Sequence, residues 1–381
     1  MARTTSVIAM VITVAGLFGC SGGDGVPRAT PSTPTPASAS ATPSSASPSA
    51  SPSPADTTVR TARVAGVLAR DLEVPWGLAF LPDGSALLSE RDTARIKHVT
   101  AAGRVTDVGV VREVDGGNEG GLLGLALSPS FESDQLLFAY FTSGEENRID
   151  RMRYDGSVLR NQEKVFDGIP AGAIHNGGRI AFGPDGFLYV GTGEAGRTEL
   201  AQRRGSLGGK ILRITADGKP APGNPFPGSP VYSLGHRNVQ GLAWDVRGQL
   251  WAAEFGQQEW DELNRIEAGR NYGWPIVEGR AGDDRFVNPV AQWSTEEASP
   301  SGIAIAGNAV YMAGLRGARL WQIPIPDGRA GEPKELLTGK YGRLRTIDVA
   351  PDGSMWLTTS NRDGRGHVRE RDDRILRLTL S

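Results

Sequence analysis

A histidine in a glycine-rich segment is the first residue of this sequence whose type and setting suit catalysis. His175 lies in residues 174–179, which read IHNGGR. Glycine allows the backbone to come close to a ligand, and an imidazole with an ordinary pKa of about 6.5 can accept a proton near neutral pH. A lone histidine is more often structural or solvated, so this segment alone leaves both roles open.

Arginine and carboxamide side chains recur beside glycines elsewhere in the chain. Guanidinium groups bind carboxylates with two parallel hydrogen bonds, and several of them in one channel repel one another unless an anion neutralises them. The pattern therefore predicts a polyanionic ligand. The candidates are Arg237, Asn238 and Gln240 in residues 235–241, Arg316 in residues 314–317, and Arg343 and Arg345 in residues 342–345.

An acidic segment with aromatic residues occupies residues 254–264 (EFGQQEWDELN) and 269–275 (GRNYGWP). Carboxylates and loop carbonyls are hard oxygen donors, which suit calcium. Cys20 is the single cysteine and the histidines are not paired, so the sequence offers no ligand set for a softer metal such as zinc. The alternative interpretation is an acidic surface loop with a Trp-Pro turn.

A repeated strand pattern supplies the elements that must position these residues. Each copy has a small or polar residue followed by alternating apolar residues, then a turn and a second apolar strand. Most residues of such repeats build a scaffold, but loops gathered around a central channel can carry chemistry. The six copies are residues 76–80, 123–127, 178–182, 240–244, 301–305 and 345–349.

Three of the copies end in a Pro-Asp-Gly turn. These are residues 82–84, 184–186 and 351–353. Proline fixes φ and glycine accepts a positive φ, so a hairpin should follow each turn. Six all-β units of this size, with almost no helical periodicity, favour a propeller over a sandwich. We therefore predict an all-β, six-bladed β-propeller.

The N-terminal region has a different composition. Residues 1–20 combine Arg3, an apolar run and small residues before Cys20, which is typical of an export signal and resembles the lipobox of bacterial lipoproteins. Ordinary cleavage near Cys20 is the alternative. Residues 21–60 are rich in Pro, Ser, Thr and Ala, which predicts a disordered tether. The predicted propeller is residues 61–381, and a formal net charge of −2 gives no indication of a nucleic-acid partner.

These motifs together resemble the soluble quinoprotein aldose dehydrogenases, the glucose/sorbosone dehydrogenase family. The resemblance extends from about Val74 to Leu378. It implies a six-bladed propeller that holds pyrroloquinoline quinone (PQQ), a cofactor with three carboxylates, at the top of its channel. The motifs that carry it are residues 175–179, 235–241, 261–264, 271–275 and 343–345.

The resemblance also implies roles for individual residues. His175 is the expected base, and Arg237 is expected to stabilise negative charge on the quinone. Side chains expected to bind the cofactor are Glu119, Arg237, Asn238, Gln240, Arg316, Arg343 and Arg345. An activating Ca²⁺ is expected on the backbone carbonyls of Gly256 and Gln257, and a second, structural Ca²⁺ is expected at Glu262 and Tyr272.

The implied reaction is the oxidation of an aldose at its anomeric carbon to a lactone, with electrons passing to an external acceptor. Relatives often have an aspartate before the base, where this chain has Ile174, and this departure leaves open how the histidine is oriented. Lipidation at Cys20 would place the enzyme at the outer face of the bacterial cell membrane.

Two other functions remain compatible with the sequence. One is a non-catalytic envelope propeller that binds a glycan or a protein, because propellers serve many functions. The other is a calcium-dependent propeller lactonase, although a neutral lactone would give Arg316, Arg343 and Arg345 no partner.

Overall fold

The protein folds into six four-stranded antiparallel sheets. This architecture is seen in a computed structural model that describes residues 59–381. The first strands of all six sheets surround one central cavity, so the sheets are the blades of a propeller. The predicted all-β, six-bladed fold is confirmed. The export signal, Cys20 and most of the predicted tether lie outside the described residues.

The first three blades are each built from four consecutive strands. The strands of blade one are β2 (Pro75–Phe80), β3 (Ala86–Glu90), β4 (Arg95–Val99) and β5 (Val105–Val110). Those of blade two are β6 (Leu122–Leu127), β7 (Leu136–Ser143), β8 (Glu146–Tyr154) and β9 (Leu159–Pro170). Those of blade three are β10 (Ile180–Phe182), β11 (Leu188–Gly191), β12 (Lys210–Ile214) and β13 (Val231–Leu234).

The last blade joins the two ends of the described chain. Strand β1 (Ala62–Ala69) pairs with β24 (Ile375–Leu380), so blade six closes the ring with strands from both ends. Its other strands are β22 (Leu344–Val349) and β23 (Met355–Thr359). Blade four contains β14 (Val239–Trp244), β15 (Leu250–Glu254), β16 (Trp260–Arg265) and β17 (Ala291–Ser294). Blade five contains β18 (Pro300–Ala306), β19 (Ala309–Gly314), β20 (Leu320–Pro324) and β21 (Lys334–Leu336).

Each predicted repeat overlaps the innermost strand of one blade, and glycine is required where these strands crowd together. A Cβ on Gly124 would lie 2.1 Å from the carbonyl oxygen of Gly178, and one on Gly241 would lie 2.5 Å from that of Ser301. Both distances are far below van der Waals contact. The repeat glycines therefore let neighbouring blades approach around the axis.

The predicted Pro-Asp-Gly turns are confirmed. Gly84, Gly186 and Gly353 all have φ near +80°, and each donates its amide to a carbonyl three residues earlier. In the part of the chain that the structure describes, helix is confined to α1 (Phe131–Asp134) and the 3₁₀ turns Thr198–Gln202 and Pro326–Gly328. Over residues 59–381, no helix has the length and apolar character needed to cross a membrane.

Candidate active site

A polar cavity of about 420 Å³ lies at the end of the channel where the innermost strands begin. It is lined by residues at the start of these strands and by loops that follow the second strands of the blades, which explains why the predicted motifs meet although they are far apart in sequence. Ten of the predicted residues line this cavity: Glu119, His175, Arg237, Asn238, Gln240, Gly256, Gln257, Arg316, Arg343 and Arg345.

The His175 side chain is held by a carboxylate that the sequence did not reveal. Its Nδ1 lies 2.8 Å from Oε1 of Glu194, which is fully buried in the segment that follows β11. A carboxylate accepts, so Nδ1 donates and Nε2 is left as the acceptor available to the cavity. Glu194 therefore orients the imidazole. An acidic residue at position 174 is not needed for this, and Ile174, which occupies that position, is 39% exposed.

Glu119 lies beside His175 and links it to the rim of the cavity. Its Oε2 accepts the backbone amide of His175 at 2.8 Å, and its Oε1 lies 2.6 Å from Nη1 of Arg365. Burial raises the pKa of Glu119, but the His175 amide and the Arg365 guanidinium outweigh it and hold the pKa below its ordinary value. Glu119 is therefore a carboxylate at neutral pH.

Arg343 and Arg345 share an internal carboxylate, Asp363. Their Nη2 atoms lie 2.8 Å and 3.3 Å from its Oδ2, respectively. Arg345 also donates to Oε1 of Gln240 at 3.1 Å, and burial lowers its pKa to about 9. The sequence pattern predicts that an external anion neutralises these arginines. Asp363 supplies part of that neutralisation from within the chain.

Arg237 and Arg316 have contrasting environments. The Arg237 guanidinium is largely buried beside Trp274, its Nε has no hydrogen-bond partner, and burial lowers its pKa. Arg316 is 54% exposed and pairs with Glu296. Because a buried polar atom without a partner is costly, Arg237 is the cavity cation best placed to gain from a bound anion.

The loop between β15 and β16 provides oxygen atoms on one side of the cavity. Gly256 and Gln257 line it together with Asp261. Asp261 accepts the amide of Gly256 at 2.9 Å and that of Ser299 at 2.5 Å, and burial raises its pKa to about 7. Backbone carbonyls with a nearby carboxylate form a donor set suited to calcium.

Glu262 and Tyr272 lie outside the main cavity and line a separate, very small one. Glu262 accepts the amide of Gly279 at 2.8 Å, and burial beside Glu254 raises its pKa. The Tyr272 hydroxyl donates to the carbonyl of Arg265 at 2.8 Å. Over residues 59–381, no three His, Cys, Asp or Glu side chains form a group that could hold a metal ion, so a calcium ion here would depend on backbone oxygens.

Several residues of the site were missed by sequence reasoning. Glu194 and Asp363 both lie next to glycines, in residues 193–196 and 361–364, and that glycine setting was the one available signal. Asp261 lies in the acidic segment from which calcium donors were expected, although it was not singled out. The other unassigned lining residues, besides Asp363, are Trp76, Arg91, Asn118, Phe255, Thr295, Ser299, Leu315 and Arg365.

Comparison with known proteins gives a consistent result. The sequence model of the family described as Glucose / Sorbosone dehydrogenase matches residues 72–376. The PQQ-bound form of the aldose sugar dehydrogenase of Streptomyces coelicolor is 57% identical, with a TM-score of 0.83, over 86% of this chain and 100% of that chain.

Two further relatives are more distant. The aldose sugar dehydrogenase YliI of Escherichia coli is 27% identical over 78% of this chain and 90% of its own length. The quinoprotein glucose dehydrogenase B of Acinetobacter calcoaceticus is 31% identical over 63% of this chain and 59% of its own length. Since the family match extends over nearly all of the propeller, the chain belongs to the glucose/sorbosone dehydrogenase family.

Proposed function

We propose that this protein is a PQQ- and calcium-dependent dehydrogenase that oxidises aldose sugars at the anomeric carbon to lactones. The observation that carries the proposal is the positive charge of the cavity, which lies where the propeller's innermost strands begin. The 57% identical relative that was solved with PQQ bound supports the same cofactor here.

The charge of the cavity fits a triply acidic cofactor. Six guanidinium groups and three carboxylates line it, an excess of three positive charges when all are ionised. Arg237 has an unpartnered Nε, whereas Arg343 and Arg345 share one carboxylate between them. We infer that these three arginines bind PQQ carboxylate or carbonyl oxygens, with Asn238 and Gln240 beside them and Arg316 at the exposed edge.

The calcium ion would be held by the carbonyls of Gly256 and Gln257. Among residues 59–381, no group donates a hydrogen bond to either carbonyl oxygen, so both oxygens remain free to coordinate a cation. Asp261 adds a carboxylate on the same side of the cavity. A second calcium at Glu262 and Tyr272 remains part of the proposal.

In the proposed reaction the bound quinone supplies a hydride acceptor, and calcium supplies a Lewis acid. The chain's own task is to move a proton. Nε2 of His175 accepts the proton of the anomeric hydroxyl as the C–H bond breaks, and the sugar leaves as a lactone. Glu194 keeps Nδ1 protonated and stabilises the imidazolium that forms.

Reconstitution of the purified apo-protein tests this function. With PQQ and calcium, we expect reduction of an electron-acceptor dye by aldoses and none by the matched 1-O-methyl glycosides, which lack the anomeric hydroxyl. Omitting quinone should abolish the reaction. Lactone hydrolysis with calcium alone would instead identify a lactonase, and sugar binding without dye reduction would identify a binding propeller.

We also propose that the enzyme is exported, lipidated at Cys20 and held at the outer face of the cell membrane, where it passes electrons to an external acceptor. The composition of residues 1–60 supports this proposal. Expressed in a bacterial host that processes lipoproteins, the wild-type protein should partition into detergent, and a Cys20→Ser variant should appear in the aqueous phase. Ser21→Ala is the matched control, and aqueous partition of the wild type would refute the anchor.

A further inference from the structure

Glu278 binds the backbone of the loop that carries the proposed calcium ligands. Its Oε1 accepts hydrogen bonds from four consecutive amides, those of Gln257 (2.6 Å), Gln258 (3.1 Å), Glu259 (3.0 Å) and Trp260 (3.1 Å). Successive amides that converge in this way form an anion-binding concavity, or nest. Here the chain's own carboxylate fills the nest.

Two of these amides determine the direction of the two carbonyls. The N–H of Gln257 shares a peptide plane with the C=O of Gly256, and the N–H of Gln258 shares one with the C=O of Gln257. In a trans peptide the N–H and the C=O point in opposite directions, and both bonds are trans. Directing both N–H groups at Glu278 therefore turns both carbonyl oxygens away from it.

Glu278 does not line the main cavity. Gly256 and Gln257 line the main cavity, whereas Glu278 lines the small cavity with Glu262 and Tyr272, which Gly256 also borders. The orientation imposed by Glu278 thus presents the Gly256 and Gln257 oxygens to the space where the cofactor and calcium would lie.

The loop is closely fitted around this carboxylate. A Cβ on Gly256 would lie 2.6 Å from Oε1 of Glu278 and 2.0 Å from the carbonyl oxygen of Trp260. Only glycine allows the turn to close at this point. Asp261 fixes the same turn from another direction by accepting the Gly256 amide.

We propose that Glu278 is a positioning residue for the activating calcium, which it supports by orienting the carbonyls of Gly256 and Gln257 without touching the ion. This inference rests on the proposed function, because it takes those two carbonyls as calcium ligands. Glu278 acts through the backbone, so its loss should weaken calcium binding while leaving the arginine cluster intact.

The test compares Glu278→Gln with Glu259→Gln. Both changes remove one negative charge near the same loop, but the Glu259 side chain is exposed and its carboxylate is not the one in the nest. Calcium affinity is measured by titration calorimetry of the PQQ-loaded protein. Glu278→Gln should weaken binding by about 10- to 100-fold, as loss of an outer-shell partner does, and Glu259→Gln should remain within about twofold of wild type.

Excess calcium should restore the turnover of Glu278→Gln, because the ligands are misdirected but still present. The titrations are repeated in a Glu262→Gln background to remove the second proposed calcium site. An affinity loss seen only when Glu262 is intact would assign Glu278 to that other site and overturn the inference. Wild-type affinity in Glu278→Gln would overturn it as well.

Hydrogen exchange provides a test that needs no variant. The amides of residues 257–260 should exchange slowly in the wild-type apo-protein although the side chains of Gln257, Gln258 and Glu259 are exposed. Fast exchange would contradict the nest, even if Glu278→Gln failed to fold. A wild type that binds no calcium but reduces dye with PQQ would remove the calcium part of the proposed function, and this inference with it.

Discussion

Replacing His175 by alanine should lower kcat by roughly 10²-fold or more while PQQ binding is retained. The imidazole is the one group in the cavity whose free ring nitrogen can accept the anomeric proton, since its other nitrogen is bonded to Glu194. The measurement is steady-state dye reduction together with a PQQ titration monitored by absorbance. Turnover unchanged from wild type would refute the role of base.

Two further variants distinguish a loss of proton transfer from a loss of protein stability. Glu194→Gln keeps the size of the side chain but loses its charge, so kcat should fall between wild type and His175→Ala. His98→Ala should leave activity unchanged, because His98 lies on β4 and contacts Ser85. If His98→Ala also lost activity, the effect of His175→Ala would reflect stability rather than proton transfer.

A second buried histidine shows that hydrogen-bond geometry, and not residue type, identifies His175 as the candidate base. His236 also pairs with a glutamate, since its Nδ1 lies 2.8 Å from Oε1 of Glu254. Its Nε2 is also engaged, at 2.8 Å from the hydroxyl of Ser233, and its ring stacks on Tyr272. Both ring nitrogens are therefore used inside the fold, which gives His236 a structural role.

The parts of the fold that local sequence determines were predictable. Pro-Asp-Gly sets backbone angles within three residues, and alternating apolar residues set the buried face of a strand. The ring closure was not predicted, because β1 pairs with β24 from the far end of the chain and neither strand carries a local sign of its partner. Counting six repeats predicted the blades but not which blade joins the ends.

The site also has parts that local sequence predicts and parts that it does not. His175, Arg237 and Arg345 lie in glycine-rich motifs that are visible in the sequence. The carboxylate partners of His175 and Arg345 were missed, since Glu194 and Asp363 lie 19 and 18 positions further along the chain and no local pattern links them to these residues. Sequence patterns thus identified side chains that line the cavity. The side chains that orient them could be recognised only from contacts in the folded structure.

Replacing Arg237 by alanine should weaken PQQ binding by about 10- to 150-fold, the equivalent of about 1.5–3 kcal/mol for a hydrogen bond to a charged group. Arg316→Ala is the matched control, because Arg316 lines the same cavity but is exposed and paired with Glu296. Exposed ion pairs contribute little, so its loss should be several-fold smaller. Equal losses in the two variants would argue against a special role for Arg237.

Although Arg237→Ala should weaken PQQ binding, it should not lower the stability of the apo-protein. Arg237 holds a buried guanidinium whose Nε has no partner, and burial of such a group costs free energy until an anion arrives. Arg237→Ala should therefore leave the Tm of the apo-protein unchanged or raise it, while reducing the rise in Tm that PQQ produces in wild type. Thermal unfolding with and without quinone measures both effects. A lower apo Tm in the variant would show that Arg237 serves the scaffold instead of the cofactor.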